Sequence, residues 1–431
     1  MNNTVRLTTG QAIVRYLAAL RVEEADGTTT PYCGGVWAIF GHGNVAGIGE
    51  ALFAHRKELR TYRGHNEQGM ALAAAAYAKA NFRRRMMAVT TSIGPGSTNL
   101  VTAAAMAHVN RLPMLLLPGD TFATRASDPV LQQVEDFEQG DVTANDCLRP
   151  VSRYFDRITR PEQLLTALPR AIQVMSDPAA CGPVTLALPQ DVQAMAFDYP
   201  ETLFAPEPVL FRRPPPDAQE LTRAGQALLS ARRPLIVAGG GVLYSHAWDE
   251  LRMFAEKHRV PVAESHGGKS AVNWDHPLNL GGVGVDGGPA ANEIAKDADL
   301  ILAVGTRLQD FTTGSHALFG KARLLSLNVQ RFDAGKWSGQ SLIADARLGL
   351  QQLSTAVGDW HAEPAWTARA ESLAAKWQAR VSELTTLVPK ETLPYDAEVI
   401  GAVRDSHEDS PARDIVVCAA GTLPAGSPPE N

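Results

Sequence analysis

Short, uninterrupted apolar runs, each closed by a glycine-rich turn and followed by a helical stretch, constrain this chain more than any other feature. Val36-Trp37-Ala38-Ile39-Phe40 runs into Gly41-His42-Gly43-Asn44. Met86 to Thr91 runs into Gly94-Pro95-Gly96, and Pro113 to Leu117 is closed by Pro118-Gly119-Asp120. Pro183 to Pro189 is another such run. Strands that are apolar on both faces and separated by helices predict a parallel sheet covered on both sides. In such sheets ligands bind at the carboxyl ends of the strands, where these turns fall. The fold class expected is therefore α/β.

The same grammar recurs after a proline cluster at Pro200, Pro206, Pro208 and Pro214 to Pro216. Proline fixes φ and removes a donor, so this stretch is expected to be extended and to mark a boundary. Beyond it, helix 217–230 leads to strand Pro234 to Ala238 and the triplet Gly239-Gly240-Gly241. Strand Asp299 to Val304 meets Gly305-Thr306-Arg307, and Leu324 to Asn328 is a third strand. This predicts a first α/β domain over 1–195, a linker over 196–216 and a second, Rossmann-like α/β domain over 217–355. Residues 356–412 read as a helical linker, with a surface helix over 360–388 carrying Trp366, Leu373 and Trp377 on one face. Asp414 to Ala419 reads as one more strand, so 413–431 is expected to be the first strand of a third domain.

Bulk properties exclude several classes. The chain has 431 residues, of which 45% are hydrophobic and 20% charged, with a net charge of -6 and no basic stripe, so nucleic acid is not an expected partner. No run approaches the length of a membrane span, and none near Met1 has a signal-peptide core. Four widely spaced cysteines argue for reduced thiols in a cytoplasmic protein, with no metal site.

Chemistry concentrates around Glu67, the one acid between Glu58 and Asp120. It opens the small-residue helix 67–80 directly after Asn66. Two readings stand: an anion favoured by the helix dipole behind an Asn cap, or a proton-handling group facing a ligand. The loop from Thr91 to Asn99 joins strand to helix, and its glycines let a ligand approach the backbone; it reads equally as a tight turn, and no G-K-[ST] makes it a P-loop. His42 sits between glycines after a buried strand, either accessible to a substrate or merely solvated. The triplet at Gly239 lacks the third glycine of a dinucleotide fingerprint, since position 244 is Tyr.

In order along the chain, these pieces resemble the thiamine diphosphate-dependent decarboxylase and acetolactate synthase superfamily. The matching words are the turn at 41–44, the glutamate motif at 65–69, Gly94-Pro95-Gly96-Ser97-Thr98-Asn99, Pro118-Gly119-Asp120 and Leu188-Pro189-Gln190-Asp191-Val192. Arg233-Pro234 with the glycine triplet, and Val304-Gly305-Thr306-Arg307, continue the series. Phe40-Gly41-His42-Gly43-Asn44-Val45, Tyr62 to Met70, Leu116 to Arg125 and Asp128 to Gln133 are unusual for the synthases; they are similar to a ring-opening C–C hydrolase branch of inositol breakdown.

The resemblance implies a first domain that binds the aminopyrimidine of thiamine diphosphate, with Glu67 hydrogen-bonding its N1′ atom so that the cofactor can lose its thiazolium proton. Gly43, Asn44, Gly94 and Pro95 would line the cofactor. His42, His65 and Asn66 would orient the oxygens of a small cyclic diketone. It also implies a homo-oligomer, because cofactors in this superfamily lie between subunits. Mg2+ would be held in a third domain through a Gly-Asp-Gly motif that this sequence lacks, so a truncated chain or fragment is expected. An acetolactate synthase-like carboligase, or a non-catalytic fragment of the same fold, are the alternatives.

Overall fold

The computed structural model describes residues 3–24, 26–388, 393–406 and 417. The strand expected at Asp414 to Ala419 lies, apart from Val417, outside the described residues. Two compact units divide the chain at Arg212/Arg213.

The first unit is built on a six-stranded parallel sheet. Its strands are Cys33–Ala38 (β1), Thr61–Arg63 (β2), Met86–Thr91 (β3), Met114–Asp120 (β4), Tyr154–Arg157 (β5) and Pro183–Pro189 (β6). They run in the order β2-β1-β3-β4-β6-β5. β3, β4 and β6 are buried at every position, as their continuous apolar runs demand. The order reverses between β1 and β3, which places the topological switch point at the turns following those two strands. Helix Glu67–Ala80 (α1) packs on β3 and against helix Val101–Asn110 (α2). Alanines at 71, 74, 75 and 78 are fully buried and let these elements approach closely.

Several boundaries move from those expected. The first strand begins at Cys33 and ends at Ala38, two residues before Phe40. The helix after the β3 turn, expected from Asn99, starts at Val101, and a short helical turn, Pro95–Thr98, precedes it. Residues 196–212, expected as linker, belong to the first unit. Ala196–Pro200 pairs antiparallel with Thr4–Thr8, and Phe204 and Val209 are buried in the same core. Prolines at 200, 206 and 208 sit outside the six-stranded ladder, where a missing N–H costs nothing.

The second unit holds another six-stranded parallel sheet: Pro234–Ala238 (β7), Val262–Glu264 (β8), Asn279–Gly282 (β9), Leu300–Val304 (β10), Arg323–Asn328 (β11) and Gln340–Ile343 (β12). The order β9-β8-β7-β10-β11-β12 is the doubly wound arrangement expected of a Rossmann-like domain. Asp217 caps the preceding helix, Ala218–Leu229, by accepting from Gln219 and Glu220 N–H groups. Helix Pro364–Thr385 is not a free surface linker. Trp366 is buried, and its Nε1 donates to Pro234 O at 2.9 Å. Ala370 and Ala374 are buried in the second core, with Leu373 and Trp377 packed against it.

His258 ties that helix's approach to the sheet. It is fully buried, with Nδ1 at 2.6 Å from Trp360 O and Nε2 at 2.9 Å from Ser354 Oγ. Burial holds its pKa below the ordinary histidine value, partly opposed by the bond to Trp360 O. The folded state therefore favours neutral His258. Its contribution to stability is present above the unfolded-state pKa of about 6.5 and is lost as pH falls from there through the lower folded-state value. Thermal melts between pH 7.5 and 5.5 are expected to show the second unit losing stability on acidification, with the slope reduced in His258→Gln.

Candidate active site

The turns after β1, β3 and β4 meet at the carboxyl end of the first sheet. Gly43 has φ +96°, a conformation glycine adopts without strain. A Cβ on Gly119, at the end of β4, would stand 2.8 Å from Gly43 O, so the two turns touch backbone to backbone. Gln193, itself buried, donates to Gly43 O and Leu188 O and accepts from Ile48 N, which fixes the loop from below.

Asn44 is buried, and its side chain is consumed by the turn itself. Its Oδ1 accepts from Gly41 N at 2.9 Å; its amide donates to Ile39 O at 3.0 Å and Thr90 Oγ1 at 3.3 Å. With both functions of the amide bonded inside the protein, the Asn44 side chain shapes the loop. His42, beside it, is half-buried, and its imidazole has no hydrogen-bond partner among the described residues.

Glu67 is the first residue of α1. Asn66 is its N-cap, with Oδ1 accepting from Gly69 N at 2.6 Å. The capping reading of this tetrapeptide is therefore true for Asn66, whose acceptor is spent on the helix. Glu67 is half-buried and faces the loop after β3: Asn99 Nδ2 donates to Glu67 Oε2 at 2.8 Å. Glu67 Oε1 has no hydrogen-bond partner among the described residues; it lies 3.3 Å from where a Cβ on Gly96 would be. The Ser92 hydroxyl borders the same spot, and Gly41 packs against Ser92. Gly96 thus leaves a niche bounded by one carboxylate oxygen and one hydroxyl. His65 is exposed beside the helix start.

Gly94 has φ +67°, and a Cβ there would run directly into Gln132 O. It joins the β3 turn to the long loop after β4. Pro95 occupies the first position of the short helical turn, where its missing N–H is not needed. Asp191 anchors the start of that long loop, accepting from Ala123 N, Thr124 N and Thr124 Oγ1 at 2.9–3.1 Å.

At the end of β4 lies an ionic network that the sequence does not announce. Asp120, 1% exposed, accepts from Thr121 N and from Arg157 Nε at 2.8 Å. Arg157 also binds Asp146 Oδ2 at 2.7 Å, Thr143 Oγ1 at 2.9 Å and Asp141 O at 3.1 Å. Burial alone would lower the guanidinium's pKa, but Asp120 and Asp146 outweigh it and hold it above its ordinary value. Burial likewise pushes Asp146 up, while hydrogen bonds from Arg149, Thr143 N and Arg157 hold it below the usual carboxylate range. Among the described residues no group of three or more His, Cys, Asp or Glu could hold a metal ion.

In the second unit, the switch point between β7 and β10 is closed by its own backbone. Gly239 N donates to Val304 O, and Gly241 N donates to Gly305 O at 2.9 Å. The glycine triplet allows this close approach of two turns.

This arrangement of two tandem parallel sheets fits two known domain types. Residues 35–140 match "Thiamine pyrophosphate enzyme, N-terminal TPP binding domain", and residues 221–353 match "Thiamine pyrophosphate enzyme, central domain". The chain is 44% identical to the 3D-(3,5/4)-trihydroxycyclohexane-1,2-dione hydrolase of Geobacillus thermodenitrificans, covering 98% of this chain and 68% of the relative. It is 42% identical to the enzyme of that name from Bacillus subtilis, over 98% of this chain and 70% of the relative. For the Clostridium tetani protein the identity is 48%, over 81% of this chain and 55% of the relative. The chain belongs to the thiamine pyrophosphate enzymes, in the family of the 3D-(3,5/4)-trihydroxycyclohexane-1,2-dione hydrolases.

The niche fits the cofactor's aminopyrimidine end. It offers an unbonded carboxylate oxygen, and with glycine at 96 no side chain stands between that oxygen and the Ser92 hydroxyl.

Proposed function

We propose that this chain forms the aminopyrimidine-binding and central parts of a thiamine diphosphate-dependent hydrolase. Its substrate would be 3D-(3,5/4)-trihydroxycyclohexane-1,2-dione, opened at a ring C–C bond to 5-deoxy-glucuronate. The relatives' shared name supports the substrate; the observation that carries the chemistry is Glu67, set over the Gly96 niche with one oxygen held and one unbonded. Thiamine diphosphate, when bound, supplies the carbon nucleophile and the electron sink that C–C cleavage needs. The reaction consumes one water: hydroxyl joins the acyl carbon and a proton joins the other carbon of the broken bond.

The chain's own residues hold and protect. Glu67 Oε1 would share one proton with the aminopyrimidine N1′ atom, donating it to the neutral ring and accepting from the protonated one. Gly43, Asn44, Gly94 and Pro95 line the cofactor. His42, His65 and the Asn66 amide supply donors to the diketone and hydroxyl oxygens. We further propose Mg2+ as counter-ion of the diphosphate, held by residues other than those described. A homo-oligomer is supported by apolar side chains exposed on the first unit, Phe53 at 70% and Phe137 at 95%. A cytoplasmic location is supported by Cys33, Cys147 and Cys181 all being free thiols. No helix among the described residues is long and apolar enough to cross a membrane.

Incubating the protein with thiamine diphosphate, Mg2+ and either the dione or pyruvate tests the reading. Consumption of the dione with formation of the open-chain acid is expected. Turnover of pyruvate alone would overturn the substrate assignment in favour of a carboligase. The cofactor niche has its own check. In Gly96→Ala the new methyl would crowd Ser92 Oγ, which can rotate, and occupy space beside Glu67. Affinity for thiamine diphosphate by calorimetry is expected to fall on the order of 100-fold, with the melting temperature little changed.

A further inference from the structure

We infer that Asn99 is the positioning residue for Glu67: its amide selects which carboxylate oxygen is offered to the niche. This rests on the proposed role of Glu67 toward the cofactor. A glutamate at a helix start has broad freedom about its terminal torsion, and either oxygen could face a ligand. Here the choice is made. Asn99 Nδ2 donates to Oε2 at 2.8 Å, which leaves Oε1 turned to the bare Cα of Gly96.

The loop places Asn99 for this task. Pro95–Thr98 forms one helical turn, and Asn99 closes it, its N–H donating to Pro95 O at 3.2 Å. The half-buried side chain is thus delivered from the loop after β3 to the start of α1. An amide does not titrate, so it can hold the carboxylate without competing for its proton. No ion pair to Glu67 occurs among the described residues. The groups that stand around it are the Asn99 amide and, across Gly96, the Ser92 hydroxyl; His65, two residues before, is exposed.

Asn99→Asp is isosteric but replaces the donor with an acceptor. Two carboxylates at that spacing cannot both stay ionised, and one shared proton restores the hydrogen bond. The folded variant therefore binds a proton at a pH where the unfolded chain has lost it. Its stability relative to wild type is kept at acid pH and lost as pH rises.

The test is a four-way comparison of melting temperature between pH 4.5 and 8, without cofactor: wild type, N99D, E67Q and N99D/E67Q. The gap between N99D and wild type is expected to widen by a few degrees toward pH 8. In the E67Q background, where a glutamine amide can donate to the introduced carboxylate, the widening should vanish. A gap that is independent of pH, or that widens equally in both backgrounds, overturns the inference. Turnover gives a second readout. Asn99→Ala should lower kcat with KM nearly constant at every pH, while N99D should recover kcat at acid pH only; equal loss in both variants at all pH also overturns it. If E67Q itself retained full turnover, the proposed role of Glu67 would fail, yet the melting comparison would still report whether Asn99 and Glu67 are coupled.

Discussion

Glu67→Gln is expected to reduce thiamine-dependent turnover by about 10²–10⁴-fold, the range over which a positioned proton-transfer group acts. The fold should survive. The substituted side chain keeps a carbonyl oxygen that can accept from Asn99 Nδ2, so the contact at 2.8 Å is retained. The loss of an anion in the first turn of a 14-residue helix costs about 0.3–1 kcal/mol. A steady-state assay beside a thermal melt separates the two effects. Near-normal turnover in a well-folded variant would show that Glu67 merely serves the helix, and the proposed chemistry would need another acid.

The largest effect on stability is expected at Arg157. Arg157→Met leaves Asp120, 1% exposed, with Thr121 N as its remaining partner, and strips Asp146 of one of its two arginines. Removing one member of a buried pair costs about 3–5 kcal/mol, because the other charge stays desolvated. The transition of the first unit should fall by roughly 10 °C or more. Asp120→Leu combined with Arg157→Met is expected to recover a good part of this loss, since an apolar pair carries no uncompensated charge. Differential scanning calorimetry of the three proteins decides it; an Arg157→Met melt within a degree of wild type would mean the network is not structural. Because the end of β4 and the loop at 141–146 share this arginine, the substitution should also loosen the loop after β4.

The sheets were legible because burial on both faces leaves an unbroken apolar run, as in β4 and β6. Short edge strands were not. Thr61–Arg63 and Tyr154–Arg157 carry charged and half-exposed residues that read as loop, and they become strands only by pairing with a buried neighbour. Glu67 stood out since it is a single acid amid a long stretch of apolar sheet and alanine helix. Asn99 did not. Its role depends on a contact across thirty-two positions in sequence, and an asparagine after a glycine-rich turn looks like ordinary turn chemistry. The Asp120–Arg157 pair is hidden for the same reason, with thirty-seven positions between its partners. The internal bonds of the Asn44 amide, to Gly41 N, Ile39 O and Thr90 Oγ1, were equally hidden, since a polar residue in a glycine turn does not show what its side chain binds.

The docking of Trp366 onto β7 bears on where this protein can be cut. The central-domain match stops at 353, but Ala362, Trp366, Ala370 and Ala374 complete the second core, and Thr367 Oγ1 secures Arg259 O at 2.7 Å. A recombinant piece trimmed to the match would expose a greasy flank and leave the Pro234 carbonyl without its indole donor. Expression boundaries for the second unit belong upstream of Arg213, whose guanidinium pairs with Asp345, and downstream of Thr385.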